Sequence, residues 1–140
     1  MTKCGVVLTS MLAIVLRAWA GEVNCPATIK VEEHLLDSVE EGWTEGRAKE
    51  LHRLAGVTIF DGNPANQASL IPKSRTISKT QTLATWTFAK ERQYWITCSY
   101  SGTAVVLSRA ISEKFVSCSV TYSRNVLVSG HPEVQQINCE

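Results

Sequence analysis

Tyr94-Trp95-Ile96-Thr97-Cys98-Ser99-Tyr100 is the stretch whose reading decides the fold. Tyr94, Ile96, Cys98 and Tyr100 alternate with Trp95, Thr97 and Ser99. Successive side chains of a strand point to opposite faces, so this period of two makes one face apolar and the other hydroxylated, with a single indole among the hydroxyls. β-Branched and aromatic residues also suit a pleated, half-buried surface.

The pattern repeats outward from that stretch. Ala84, Trp86 and Phe88 alternate with Thr85 and Thr87. Val116, Cys118, Val120 and Tyr122 alternate with Ser117, Ser119 and Thr121. Thr103–Arg109 is rich in Val and Leu, Ser101-Gly102 fits a two-residue hairpin turn, and Val134–Cys139 reads as a last strand. In the first half, Ile29, Val31 and Leu35 stand against Lys30, Glu32 and His34, which fits a strand or the start of a short helix. Asp37–Lys49 is polar, contains Gly42 and Gly46, and reads as a loop, with a helical turn over Glu45–Leu51 as a weak alternative. Leu54–Phe60 reads as a strand that stops at the turn cluster Asp61-Gly62-Asn63-Pro64. Ala68–Ile71 is a short apolar piece closed by Pro72, hence an edge or a loop. Lys73–Thr82 reads as a polar, basic connection. The expectation is a mainly β chain: a single small antiparallel domain, sandwich or curled sheet, with minor helix.

The N-terminus suggests an address. Met1-Thr2-Lys3 is a short positive start, Gly5–Leu16 is apolar but for Thr9 and Ser10, and Ala18-Trp19-Ala20 is a small-x-small exit. These are the parts of a secretory signal peptide. The run is shorter than the roughly 20 apolar residues that span a bilayer. Residues 1–20 are therefore expected to be a cleaved signal and residues 21–140 the domain, placed in the periplasm or secreted, with no membrane span after cleavage. Lys3 and Arg17 leave with the signal, so 12 basic residues face 13 acidic ones in the remainder. A near-neutral chain with scattered Lys and Arg offers no phosphate-binding face, which argues against a nucleic-acid partner.

Five cysteines fall at 4, 25, 98, 118 and 139, and Cys4 departs with the signal. An even four in an exported protein implies two disulfides, with three possible connectivities. Cys25 and Cys139 lie at the two ends of the domain, while Cys98 and Cys118 lie on the apolar faces of their strands. Position therefore favours Cys25–Cys139 and Cys98–Cys118. The second bridge requires the strand of Cys118 to fold onto a second layer or to pair beside Tyr94–Tyr100, because two strand spacings of about 4.8 Å exceed disulfide reach. No Cys-x-x-Cys or Cys/His cluster suggests zinc, and neither a metal nor any other cofactor is expected.

Catalytic signatures are sparse. There is no Gly-x-Ser-x-Gly elbow, phosphate-cradling glycine loop or His-Glu-x-x-His. His34, His52 and His131 are far apart in sequence. Glu32-Glu33 and Glu40-Glu41 are adjacent pairs, which on a strand point to opposite faces and so make no dyad. The aromatics say more. Trp95 lies on the hydroxylated face of its strand and Trp43 in the Gly42–Gly46 loop, and an exposed Trp is a frequent recognition anchor. These two are the candidate binding residues, with no catalytic residue assigned.

Several stretches together carry a resemblance: Cys25-Pro26, Gly42-Trp43, His52-Arg53-Leu54 running into Val57–Phe60, Asp61-Gly62-Asn63-Pro64, Ala68–Pro72 and Thr85–Phe88. The most specific is Tyr94–Tyr100, a Tyr-Trp-x-x-Cys-x-Tyr motif, followed by Thr103, Leu107, Arg109, Cys118 and Tyr122. Over nearly the whole domain the chain resembles a functionally uncharacterised family of small exported Gram-negative bacterial proteins. The resemblance implies a periplasmic or secreted protein and no particular activity. From size, staples, export and the lack of a catalytic signature, the expected role is a non-enzymatic binding protein, of inhibitor or immunity type, whose partner is another protein of the cell envelope, an enzyme. The alternatives are an envelope enzyme of unrecognised type using His34, His52 or His131, and a structural component of an envelope assembly.

Overall fold

A computed structural model of the chain describes residues 23–46 and 49–140. The expected signal segment and Cys4 lie outside the described residues. The described chain is mainly β, as its alternation implies, and forms two antiparallel sheets. The first holds β1 (Thr28–Glu32), β2 (Lys49–Asp61), β3 (Ser69–Leu70), β6 (Tyr94–Tyr100) and β7 (Val106–Ala110). Its order is β1-β2-β6-β7, with β3 beside β2. The second holds β4 (Ser74–Ile77), β5 (Gln81–Thr87), β8 (Ser117–Val128) and β9 (His131–Cys139), in the order β4-β5-β8-β9.

β2 is the spine of the first sheet. Its start pairs with β1, and its second half pairs with β6 on one edge and briefly with β3 on the other. The ladder to β6 carries a bulge between Leu54 and Gly56. A side chain at Gly56 would bring its Cβ within 2.9 Å of the Ser99 hydroxyl, which would have to turn away to admit it.

The core lies between the sheets and follows the registers. Ile59 and Ile96 are opposite each other in the first sheet; Ala84, Val120 and Ile137 form one row of the second, and Trp86, Cys118 and Cys139 the next. All but the partly covered Cys139 are buried, and Val23, Tyr94 and Ile111 complete the cluster. Each fully buried Ile or Val stabilises the fold by roughly 1.5–3 kcal/mol before entropy is counted. The Trp86 indole N–H donates to the Leu70 carbonyl at 3.0 Å, a tie from β5 to β3 across the two sheets.

The two disulfides are Cys25–Cys98 and Cys118–Cys139, which corrects the expected pairing. β8 does fold onto a second layer, the condition that a Cys98–Cys118 bridge needed. Local register overrides it. Ser117 and Glu140 exchange both backbone bonds, so the next pair along the ladder, Cys118 and Cys139, is of the non-hydrogen-bonded, closer kind. Their Cα atoms are 4.1 Å apart. Cys98 is left to the segment before β1, where the Tyr100 hydroxyl donates to the Pro26 carbonyl at 3.0 Å and holds that segment against β6.

Other expectations also change. Lys73–Thr82 is not a plain connection: Ser74–Ile77 forms β4, an edge strand exposed at every position. Lys49–Leu51 continues β2, so no helical turn occupies it. Among the described residues the minor helix is a single 3₁₀ turn, Pro64–Asn66, capped by Asn63, whose side chain accepts from the Ala65 N–H at 2.9 Å. Val116, assigned to an apolar face, is exposed before β8 begins. β8 and β9 extend further than their alternation, to a two-residue turn in which Ser129 and Gly130 both have positive φ, as a type I′ hairpin requires.

Candidate interaction surface

The connection between β1 and β2 has no periodicity that could bury it. Leu35 and Leu36 are adjacent, and Val39 and Trp43 follow among carboxylates and glycines. All four are exposed, Leu36 fully and Trp43 by 74 %. The turn that presents the indole runs from Glu40 to Trp43, whose N–H donates to the Glu40 carbonyl at 3.1 Å. Gly42, third in that turn, has φ +89°, the left-handed conformation that a type II turn demands. The segment borders a concavity of about 840 Å³.

The two roots of the connection are held. The Leu35 N–H donates to the Glu45 carboxylate at 2.8 Å, and His34 lies 3.8 Å from the same oxygen. The Thr103 hydroxyl, in the β6–β7 connection, donates to the Glu33 carboxylate at 2.6 Å. The apex carries Asp37, Glu40 and Glu41, which make no ion pair among the described residues.

Trp95 is placed differently. Phe60, Trp95 and Ala110 share one row across β2, β6 and β7, on the face turned away from the core. Its indole is half-buried. The next row on that face is Thr58, Thr97 and Ser108, with the Thr97 and Ser108 hydroxyls 2.7 Å apart. Trp43 and Trp95 are thus on separate elements, the first projecting and the second lying in a flat face.

The histidines occupy three different elements. His34 lies at the root of the exposed connection and His131 opens β9 on the surface. His52 is buried in β2, and its Nδ1–H donates to the Ser101 carbonyl at 2.6 Å. That bond gives the ring a structural partner and fixes its tautomer. Glu40 and Glu41 are both exposed in their turn. Among the described residues no group of three His, Cys, Asp or Glu side chains is arranged to hold a metal ion. No helix of the described residues is long and apolar enough to cross a membrane.

Sequence reasoning singled out Trp43 but not Leu35, Leu36 and Val39 beside it. The signal was present: two adjacent leucines in an acidic, glycine-bounded stretch cannot both be buried by one face.

Residues 47–140 match the model of the type VI secretion system Tli immunity protein family. The chain is also similar to an uncharacterized 16.3 kDa protein encoded in the trpG 5′ region of Azospirillum brasilense, 30 % identical over 112 residues that cover 74 % of this chain and 73 % of the relative. No solved structure matches. The expectation of an uncharacterised family is thus only partly apt, since the matched family is described as one of immunity proteins, and the expected immunity-type function agrees with it. The chain belongs to the type VI secretion system Tli immunity protein family.

Proposed function

We propose that the protein is a non-enzymatic periplasmic immunity protein: residues 1–20 export it, and it blocks a toxin protein delivered into the envelope by a type VI secretion system. The observation that carries this reading is the family match over residues 47–140. Two disulfides in a chain of this size suit an oxidising compartment. The rigid two-sheet frame with a projecting, root-pinned loop suits stoichiometric binding, because a preorganised surface loses little conformational freedom on association. Turnover has less behind it, since His52 is engaged with a backbone carbonyl and His34 and His131 stand on other elements.

The test is a dosage series in a strain lacking the gene. The protein is recovered by osmotic shock and quantified, and survival under attack by parent cells is measured at each level. A blocking protein protects in proportion to its amount. Full protection at trace levels would contradict blocking and favour an enzyme, and absence of the protein from the shock fraction would contradict the periplasmic assignment.

A further inference from the structure

We infer that the 33–46 connection is the element that grips the toxin, and that it seats on a cationic surface with an apolar recess. The inference rests on the immunity reading above and adds the surface and the chemistry of its partner.

Charge comes first. Six of the chain's 13 acidic residues fall between positions 32 and 45, and that interval holds no Lys or Arg. The domain is near neutral after signal cleavage, so this is a local anionic pole. Glu33 and Glu45 are used to brace the roots, whereas Asp37, Glu40 and Glu41 point their charge outward at the apex. Apolarity is the second, independent observation. Leu36 and Trp43 are exposed on the same connection, where leaving them in water forfeits the free energy that their burial would contribute. Exposed apolar side chains interspersed with like charge have the composition of interface anchors beside a polar rim. Like-signed carboxylates at that rim select a positively charged surface and speed its approach.

The flat Trp95 face is less suited, because its indole is already half-buried.

The experiment places photoreactive benzoylphenylalanine at Leu36 of the exported protein, in cells lacking the gene and under attack by the parent strain. The adduct is identified by mass spectrometry. The expected product is one adduct to a type VI effector, on a peptide bearing Lys or Arg. Its yield falls by at least about tenfold when Asp37→Lys, Glu40→Lys and Glu41→Lys are combined. It is unchanged by Glu113→Lys, whose loop lies at the Tyr94 end of β6, opposite the Thr103 end. Should the triple Lys variant melt early, the neutral set Asp37→Asn, Glu40→Gln and Glu41→Gln replaces it, with a smaller loss expected. An adduct only to a second copy, an effector adduct indifferent to these changes, or no adduct from a protein that still protects would each overturn the proposal. Equal survival of cells with and without the gene would instead remove the immunity reading beneath it.

Discussion

The Thr103 hydroxyl donates to the Glu33 carboxylate at 2.6 Å and so fastens the β6–β7 connection to the root of the acidic one. Glu45 closes the other root through the Leu35 N–H. These two bonds turn a 14-residue span without regular structure into a braced presentation of Trp43. In Thr103→Val combined with Glu45→Ala, amide exchange across 35–45 is expected to accelerate. Global stability should move by only about 0.5 kcal/mol, as is usual for surface changes. Unchanged exchange would show that the bonds do not brace the loop.

The disulfides give a second expectation. Cys25–Cys98 closes 73 residues of sequence separation and Cys118–Cys139 closes 21. In the chain-entropy model, removal as Ser pairs costs about 4 and about 3 kcal/mol respectively. Non-reducing peptide mapping should recover these two pairs. A Cys25–Cys139 peptide would contradict the register that sets Cys118 against Cys139.

Alkaline behaviour follows from Tyr122. Burial raises its phenol above the usual value, and Arg75 nearby pulls it partly back. The folded state then holds the proton more tightly than the unfolded chain. This contribution is complete below the unfolded pKa of about 10 and is lost as pH rises through the folded value. Tyr122→Phe should therefore flatten the fall in stability above pH 10 in denaturant titrations. A parallel curve for both proteins would exclude Tyr122 as a source of that slope.

The two surface tryptophans should separate cleanly. Trp43 is mostly exposed, so Trp43→Ala is expected to leave stability within about 0.5 kcal/mol while impairing protection. Trp95 shares a row with Phe60 and Ala110, so Trp95→Ala should cost between about 1 and 3 kcal/mol, short of a fully buried Trp. Thermal melts read alongside competition survival check both. Loss of protection by a stable Trp95 variant, with the Trp43 variant intact, would move the grip to the flat face.

Much of the frame is legible in the residues. Tyr94–Tyr100 coincides with β6, and Ala84, Trp86, Cys118 and Val120 are buried as their alternation implies. What stayed hidden was set by pairing rather than by burial. β4 shows no apolar alternation because nothing covers it, and Lys73–Ile77 therefore looks like a linker. The outer half of the β8–β9 hairpin, Arg124–Leu127, is exposed for the same reason. The disulfide pairing depended on which residues face each other across β8 and β9, information that one chain's spacing does not contain. At the candidate surface, Trp43 was legible as an aromatic in a glycine-bounded loop. The bracing of that loop was not, because Glu33 and Thr103 are 70 residues apart.

The most direct measurement of the immunity function is survival of cells lacking the gene, mixed with the parent strain, when they carry either the full chain or residues 21–140 without a signal. Restored survival with the full chain and none with the leaderless form is the expected result. Equal survival in all three strains, or rescue by the leaderless form alone, would contradict a periplasmic immunity protein.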